Sequence, residues 1–273
     1  MRYNFRQAIL YYAVLYKGDW EKIAKAIDRK EEYQILETNH SFVTIGEPSY
    51  PKCFLDLECP PWILFFEGKL ERLNEPKVAI IGARNCSQAG INNTKRIVQK
   101  LKNRYVIVSG LAKGIDAAAH WSSLDQKTIG IIGCGLDIIY PKENHSLYEW
   151  MKRKHLVISE YPPGVPPYAR NFPWRNRLIA AACESVIVVE AGMKSGTMLT
   201  VNECLSLGRE VYCLPQPFNE LKFVGCNYLI SSGANILYDE QGLSVFDLSS
   251  KKNKKYRIKQ LTDKEERGNI NER

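Results

Sequence analysis

The sequence predicts an α/β fold: a Rossmann-like, doubly wound and mainly parallel sheet with a small N-terminal helical module. Three observations predict it. Six short apolar runs follow one another after Lys77: VAIIG (78–82), YVIVSG (105–110), TIGIIG (128–133), HLVISEY (155–161), SVIVVEA (185–191) and REVYCLP (209–215). Helix-like stretches of crossover length separate them, and runs apolar at nearly every position suit strands covered on both faces. Ahead of them, residues 5 to 36 carry a helical period instead.

In chain order, Phe5, Ile9, Tyr12, Ala13 and Tyr16 recur at helical spacing, Gly18 interrupts, and Trp20, Ile23, Ala24 and Ile27 resume the pattern. These define a helical (SAM-like) module over 1–45. Its second half, GDWEKIAKAI, fits a helix-turn-helix fragment as well as an amphipathic packing helix, and packing is the commoner use of such a pattern. Residues 46–76 are rich in proline and apolar side chains and predict an extended connector lying against the domain of 77–240. Residues 241–273 end in KKNKKYRIKQLTDKEERGNINER, with few apolar positions, and read as a charged, flexible tail without a winged helix.

The chain has 273 residues, 45% of them apolar, enough to bury a substantial core. No apolar run has the length of a membrane span, and the N-terminus lacks the pattern of a signal peptide, so the expected location is the cytoplasm. Cys53, Cys59, Cys86, Cys134, Cys183, Cys204, Cys213 and Cys226 form no CxxC pair. Scattered through apolar runs, they read as buried thiols in a reducing compartment. A formal charge of +8 favours an anionic partner.

In doubly wound sheets, ligands lie beyond the carboxyl ends of the strands. The first such loop, GARNCSQAG, offers Gly82, Arg84 and Ser87 at the start of a helix, a setting suited to phosphate. Alone it reads equally well as a structural turn. It matches neither GxGxxG nor GxxxxGK[ST], so no nucleotide cofactor is implied. The second loop adds Ser109, Gly110, Lys113 and Gly114; Asp116 and His120 follow at helical spacing, and a structural histidine is the expectation there. The third, GCGLDIIYPKENH, reads as a tight turn with a packed Tyr140. The fourth crowds Arg170, Phe172, Trp174, Arg175, Asn176 and Arg177 before a buried helix, as cations for phosphates and aromatic faces for bases. The fifth brings Lys194, Ser195, Gly196 and Thr197. Together the loops predict a cationic groove for a polyanion. The four histidines are dispersed, so no metal site and no catalytic residue is assigned.

At these loops the sequence resembles the DNA-processing protein A (DprA, or Smf) family. VAIIGARNCS, IVSGLAKGIDAAAH, IGIIGCGLDIIYP, ISEYPPG, FPWRNRLIAA, VIVVEAGMKSGTMLT and GCNYLISSGA stand in the family's order. The resemblance implies a protein of natural transformation and recombination. Such a protein binds single-stranded DNA, self-associates as a dimer and loads RecA recombinase, with no catalytic turnover and no cofactor. It implies that Arg84 makes a central phosphate contact beside Gly82 and Ser87, that Phe172 meets a base, and that Arg175, Asn176 and Arg177 are the RNR signature. Arg177 could instead turn inward to Glu160 or Glu190.

Three positions depart from the pattern: Ala169 replaces a frequent lysine, with Arg170 beside it; Pro215–Gln216 replaces Pro-Gly; and a winged helix is not expected after Tyr238. The competing reading is a nucleotide-binding enzyme or sensor of the lysine-decarboxylase-like group. Its PGGxGTxxE loop is matched only by GMKSGTMLTVNE, with Leu199 and Thr200 where the carboxylate would stand.

Overall fold

The computed structural model describes residues 4–248; the expected charged tail lies outside the described residues from position 249 onward. Two helices, α1 (Phe5–Leu15) and α2 (Trp20–Asp28), open the chain. Each starts at a side-chain cap that satisfies a free amide: Asn4 accepts from Gln7 N at 3.2 Å and Asp19 from Lys22 N at 3.1 Å. α2 is a packing helix. Its Trp20 stacks on Trp62 at 5.5 Å between centroids, and Trp20 Nε1 donates to Pro60 O at 2.7 Å.

Two strands follow that the sequence reading lacks, β1 (Ser41–Thr44) and β2 (Ile63–Glu67), antiparallel to each other. The first falls in the range read as helical module and the second in the range read as connector. Pro48, Pro51, Pro60 and Pro61 occupy the link between them, whereas ILFFE has no proline and keeps its amides free to pair.

The six apolar runs all form strands, and the remaining elements are β3 (Lys77–Ile81), α3 (Gln88–Leu101), β4 (Val106–Ser109), α4 (Ile115–Ser123), β5 (Thr128–Ile132), α5 (His145–Lys154), β6 (Leu156–Ser159), α6 (Asn171–Ala182), β7 (Ser185–Val188), α7 (Gly196–Ser206), β8 (Glu210–Cys213), α8 (Val224–Ser231) and β9 (Asn235–Ile236). One sheet holds them in the order β1-β2-β6-β5-β4-β3-β7-β8-β9. β2 meets β6 antiparallel, and every pair from β6 to β9 is parallel. The chain winds outward from β3 to β6, then returns to place β7 on the other side of β3. The topological switch point therefore lies between β3 and β7.

Alternation along the strands divides the core in two. Ala79, Ile81, Val106, Val108, Ile129, Ile131, Val186 and Val188 pack with Leu178 to Ala182 of α6 and with Val201 and Cys204 of α7. Toward β2, the opposite face packs Phe65 and Val157 against α1, α2 and Leu147, Tyr148 and Met151 of α5. Cys134, Cys183, Cys204, Cys213 and Cys226 are buried, Cys53, Cys59 and Cys86 half-buried, and all eight are free thiols.

Residues through Ile236 make one compact unit; Leu237 begins a second, whose described part is a 3-10 segment at Gln241–Leu248. No described helix is long and apolar enough to cross a membrane.

Candidate nucleic-acid interface

At the carboxyl end of β3 the chain turns through Gly82–Ser87, and Arg84 projects outward, exposed and without a carboxylate partner among the described residues. Its guanidinium carbon lies 5.4 Å from the centroid of Phe172, and Phe172 in turn leans on the exposed Tyr140 at 5.3 Å. A cation over a ring face is held by the ring's quadrupole. The platform is built on close backbone approaches. Gly114 has φ +74°, and a Cβ there would sit 2.2 Å from Ala83 O, so the second loop presses directly under the first. Gly114 thus lies against the Ala83–Arg84 backbone and Arg84 beside Phe172, with Tyr140 added, for which a packed tyrosine is the expectation from sequence. Lys113 is exposed but ion-paired with Glu143.

The RNR signature is structural. Arg175 is buried and donates to Gly110 O at 2.7 Å and to Ile131 O. Burial pulls its guanidinium below its ordinary value, opposed by the Asp116 carboxylate. Asp116 accepts from Gly110 N at 3.1 Å, and burial pushes its carboxyl up against the pull of Arg175. Arg177 turns inward to Glu160, with both carboxylate oxygens at 2.6–2.7 Å. Asn176 is buried and donates to Gly196 O at 3.3 Å, tying α6 to the first residue of α7. Its neighbour Trp174 covers Arg177 at 4.3 Å. The two arginine side chains are held by interior partners and Asn176 is buried against the start of α7, and together they fix the helix from which Phe172 projects.

Of the other assigned residues, the interior holds some and leaves others exposed. Ser109 is fully buried and donates to Ile80 O at 2.7 Å. Gly110 lies under the Arg175 guanidinium, where a Cβ would come within 2.3 Å of it. Ser87 caps α3 through Gly90 N at 2.9 Å while its hydroxyl binds Glu190. Thr197 is buried. In the same loop Lys194 and Gly196 are exposed, and Ser195 caps α7. Arg170 is exposed, with its guanidinium 5.1 Å over Tyr168 rather than beside Phe172. His120 is a core histidine bonded to Thr128. Gln216, where the family has glycine, donates from its amide to Val189 O at 2.9 Å and exchanges bonds with Asn227, so this departure shapes a turn.

Sequence reasoning missed the contacts of Glu190 with Ser87, of Asp116 with Gly110 and of Glu143 with Lys113. Only Asp116 had a spacing signal, which pointed it toward His120 rather than toward Gly110.

A mainly parallel sheet whose strand-end loops carry an exposed guanidinium beside a half-buried aromatic ring defines a Rossmann-like protein. Comparison with known proteins narrows this. The chain belongs to the DNA recombination-mediator protein A family, whose model matches residues 41–246. It is similar to DNA processing protein DprA of Streptococcus pneumoniae, 43% identical over 72% of this chain and 71% of that protein. Protein Smf of Synechocystis is 38% identical over 82% of this chain and 59% of its own length. The X-ray structure of the S. pneumoniae protein covers 88% of this chain and 95% of its own, with a TM-score of 0.74 and 34% identity. A second structure, of DNA processing protein A from Helicobacter pylori, was solved for that protein's single-stranded DNA binding mode. It covers 78% of this chain and 98% of its own at a TM-score of 0.71 and 33% identity.

Proposed function

We propose that this family member binds single-stranded DNA along the surface formed by Gly82, Arg84, Lys113, Gly114 and Phe172. In this reading it works as a cytoplasmic, non-enzymatic homodimer that protects DNA and loads RecA recombinase onto it during transformation and recombination. One observation carries the reading: the unpaired Arg84 guanidinium stands beside the Phe172–Tyr140 aromatic step. A cation for the backbone and a π-face for a base, side by side, are what sequence-tolerant single-strand binding requires. Lys194 and Arg170, exposed on flanking loops, extend the positive field. The binding mode described for the H. pylori relative supports the same partner.

Fluorescence anisotropy of a labelled oligo-dT tests it, with wild type and Arg84→Glu at two salt concentrations and with duplex and AMP as competitors. The expected result is salt-sensitive binding that prefers single strands and is lost in a folded Arg84→Glu variant. Undiminished binding by that variant, or ready displacement by AMP, would sink the assignment.

A further inference from the structure

At the switch point between β3 and β7, the crevice in which this topology ordinarily receives a ligand's phosphate is filled by the chain itself. Glu190, two residues beyond β7 and 3% exposed, sends its carboxylate to the start of α3. Ser87 N donates to its Oε2 at 2.9 Å and the Ser87 hydroxyl donates to Oε1. Its backbone carbonyl accepts from Ala83 N at 2.8 Å. Ala83 and Ser87 flank Arg84, so one residue of β7's loop ties the Arg84 turn on both sides. Gly90 makes the room: a Cβ there would fall 2.5 Å from the Glu190 carboxyl carbon.

We propose that Glu190 is the positioning residue for Arg84. Resting on the single-strand reading above, it holds the Ala83–Ser87 turn so that the Arg84 guanidinium faces the DNA backbone beside Phe172. Because its carboxylate is engaged by Ser87, it does not ion-pair with Arg84, and the guanidinium stays free for phosphate. The turn is fixed before DNA arrives, and fixing it in advance lowers the ordering cost of binding.

The charge of Glu190 makes the test sharp. If Glu190 acted only as one more negative charge near a polyanion, Glu190→Gln would tighten DNA binding. Positioning demands the reverse: affinity for oligo-dT falls by roughly tenfold, about the loss of one charge-assisted hydrogen bond. In an Arg84→Ala background the same substitution should change affinity little, because its effect runs through Arg84. Ser87→Ala removes one tether and leaves the carboxylate charge; it should weaken binding in the same direction, and it carries the test if Glu190→Gln does not fold by circular dichroism. Wild type that fails to bind oligo-dT overturns the single-strand reading and this inference with it. Wild type that binds, with a folded Glu190→Gln or Ser87→Ala variant that binds as tightly or more tightly, overturns the positioning role alone. A tenfold loss that persists in the Arg84→Ala background overturns it as well.

Discussion

Arg177 and Glu160 form a buried ion pair inside the protein, with one guanidinium nitrogen at 2.6 and 2.7 Å from the two carboxylate oxygens and both side chains at most 6% exposed. Burial pushes the Glu160 carboxyl up, and the guanidinium opposes that shift. The pair joins α6 to the end of β6, so the helix that carries Phe172 is set by a contact on its opposite side. Removing one partner leaves the other charged and dry, which costs about 3–5 kcal/mol. Arg177→Met should therefore lower the unfolding free energy measured in urea by that amount, while the DNA affinity of the folded fraction stays near wild type. A DNA-binding defect without a stability loss would return Arg177 to the groove.

Phe172 gives the opposite pattern. It is half-buried between Tyr140 and the Arg84 guanidinium. Truncating it to alanine removes a stacking face, worth about 1–3 kcal/mol per base. Oligo-dT affinity should fall by that amount in anisotropy, with Phe172→Tyr restoring most of it. Equal affinity in a folded Phe172→Ala variant would show that no base meets this ring.

Gly114 supports the platform from below. Its φ of +74° is a backbone region that side chains avoid, and a Cβ would collide with Ala83 O at 2.2 Å. Gly114→Ala should destabilise by about 1–3 kcal/mol or more. It should also weaken DNA binding, since the loop that must yield is the one holding Arg84. Unchanged stability by chemical denaturation would contradict the close approach of the two loops.

The parallel core was legible because its six strands are short, continuously apolar and separated by crossover helices. β1 and β2 were not, since proline-rich flanks concealed two strands whose partners lie on one another and on the distant β6. Arg84 and Phe172 were readable from loop position and chemistry. The burial of Arg175 and Asn176, and the choice of Glu160 for the Arg177 left open by the sequence, have one physical source: a cationic cluster at a helix start looks the same whether it faces an anion in solvent or a buried carboxylate and main-chain carbonyls. The deciding partners, Glu160 and the carbonyls of Gly110 and Ile131, are 17, 65 and 44 residues away in the chain. The pairing of Glu190 with Ser87 eluded the reading likewise, the two being 103 residues apart in the chain.

Two buried histidines should govern acid stability. His120 is fully buried; because the Thr128 hydroxyl donates to Ile107 O at 2.7 Å, its oxygen receives the His120 Nδ1–H, also at 2.7 Å. Burial, reinforced by His155, pulls His120 down to about 3. Burial, with the adjacent Arg72 guanidinium, pulls His155 down to about 4. Both are held neutral in the fold but take up a proton near pH 6.5 once unfolded. The unfolded state therefore binds more protons below that point, and the stability present above pH 6.5 is lost as the pH falls toward 4 and then 3. For the fully buried His120 the loss amounts to about 3 kcal/mol by pH 4. His120→Asn keeps a donor for Thr128 and removes the titration. Urea midpoints measured from pH 7 to 4 should decline less steeply for this variant than for wild type, and parallel declines would show that His120 does not titrate on unfolding.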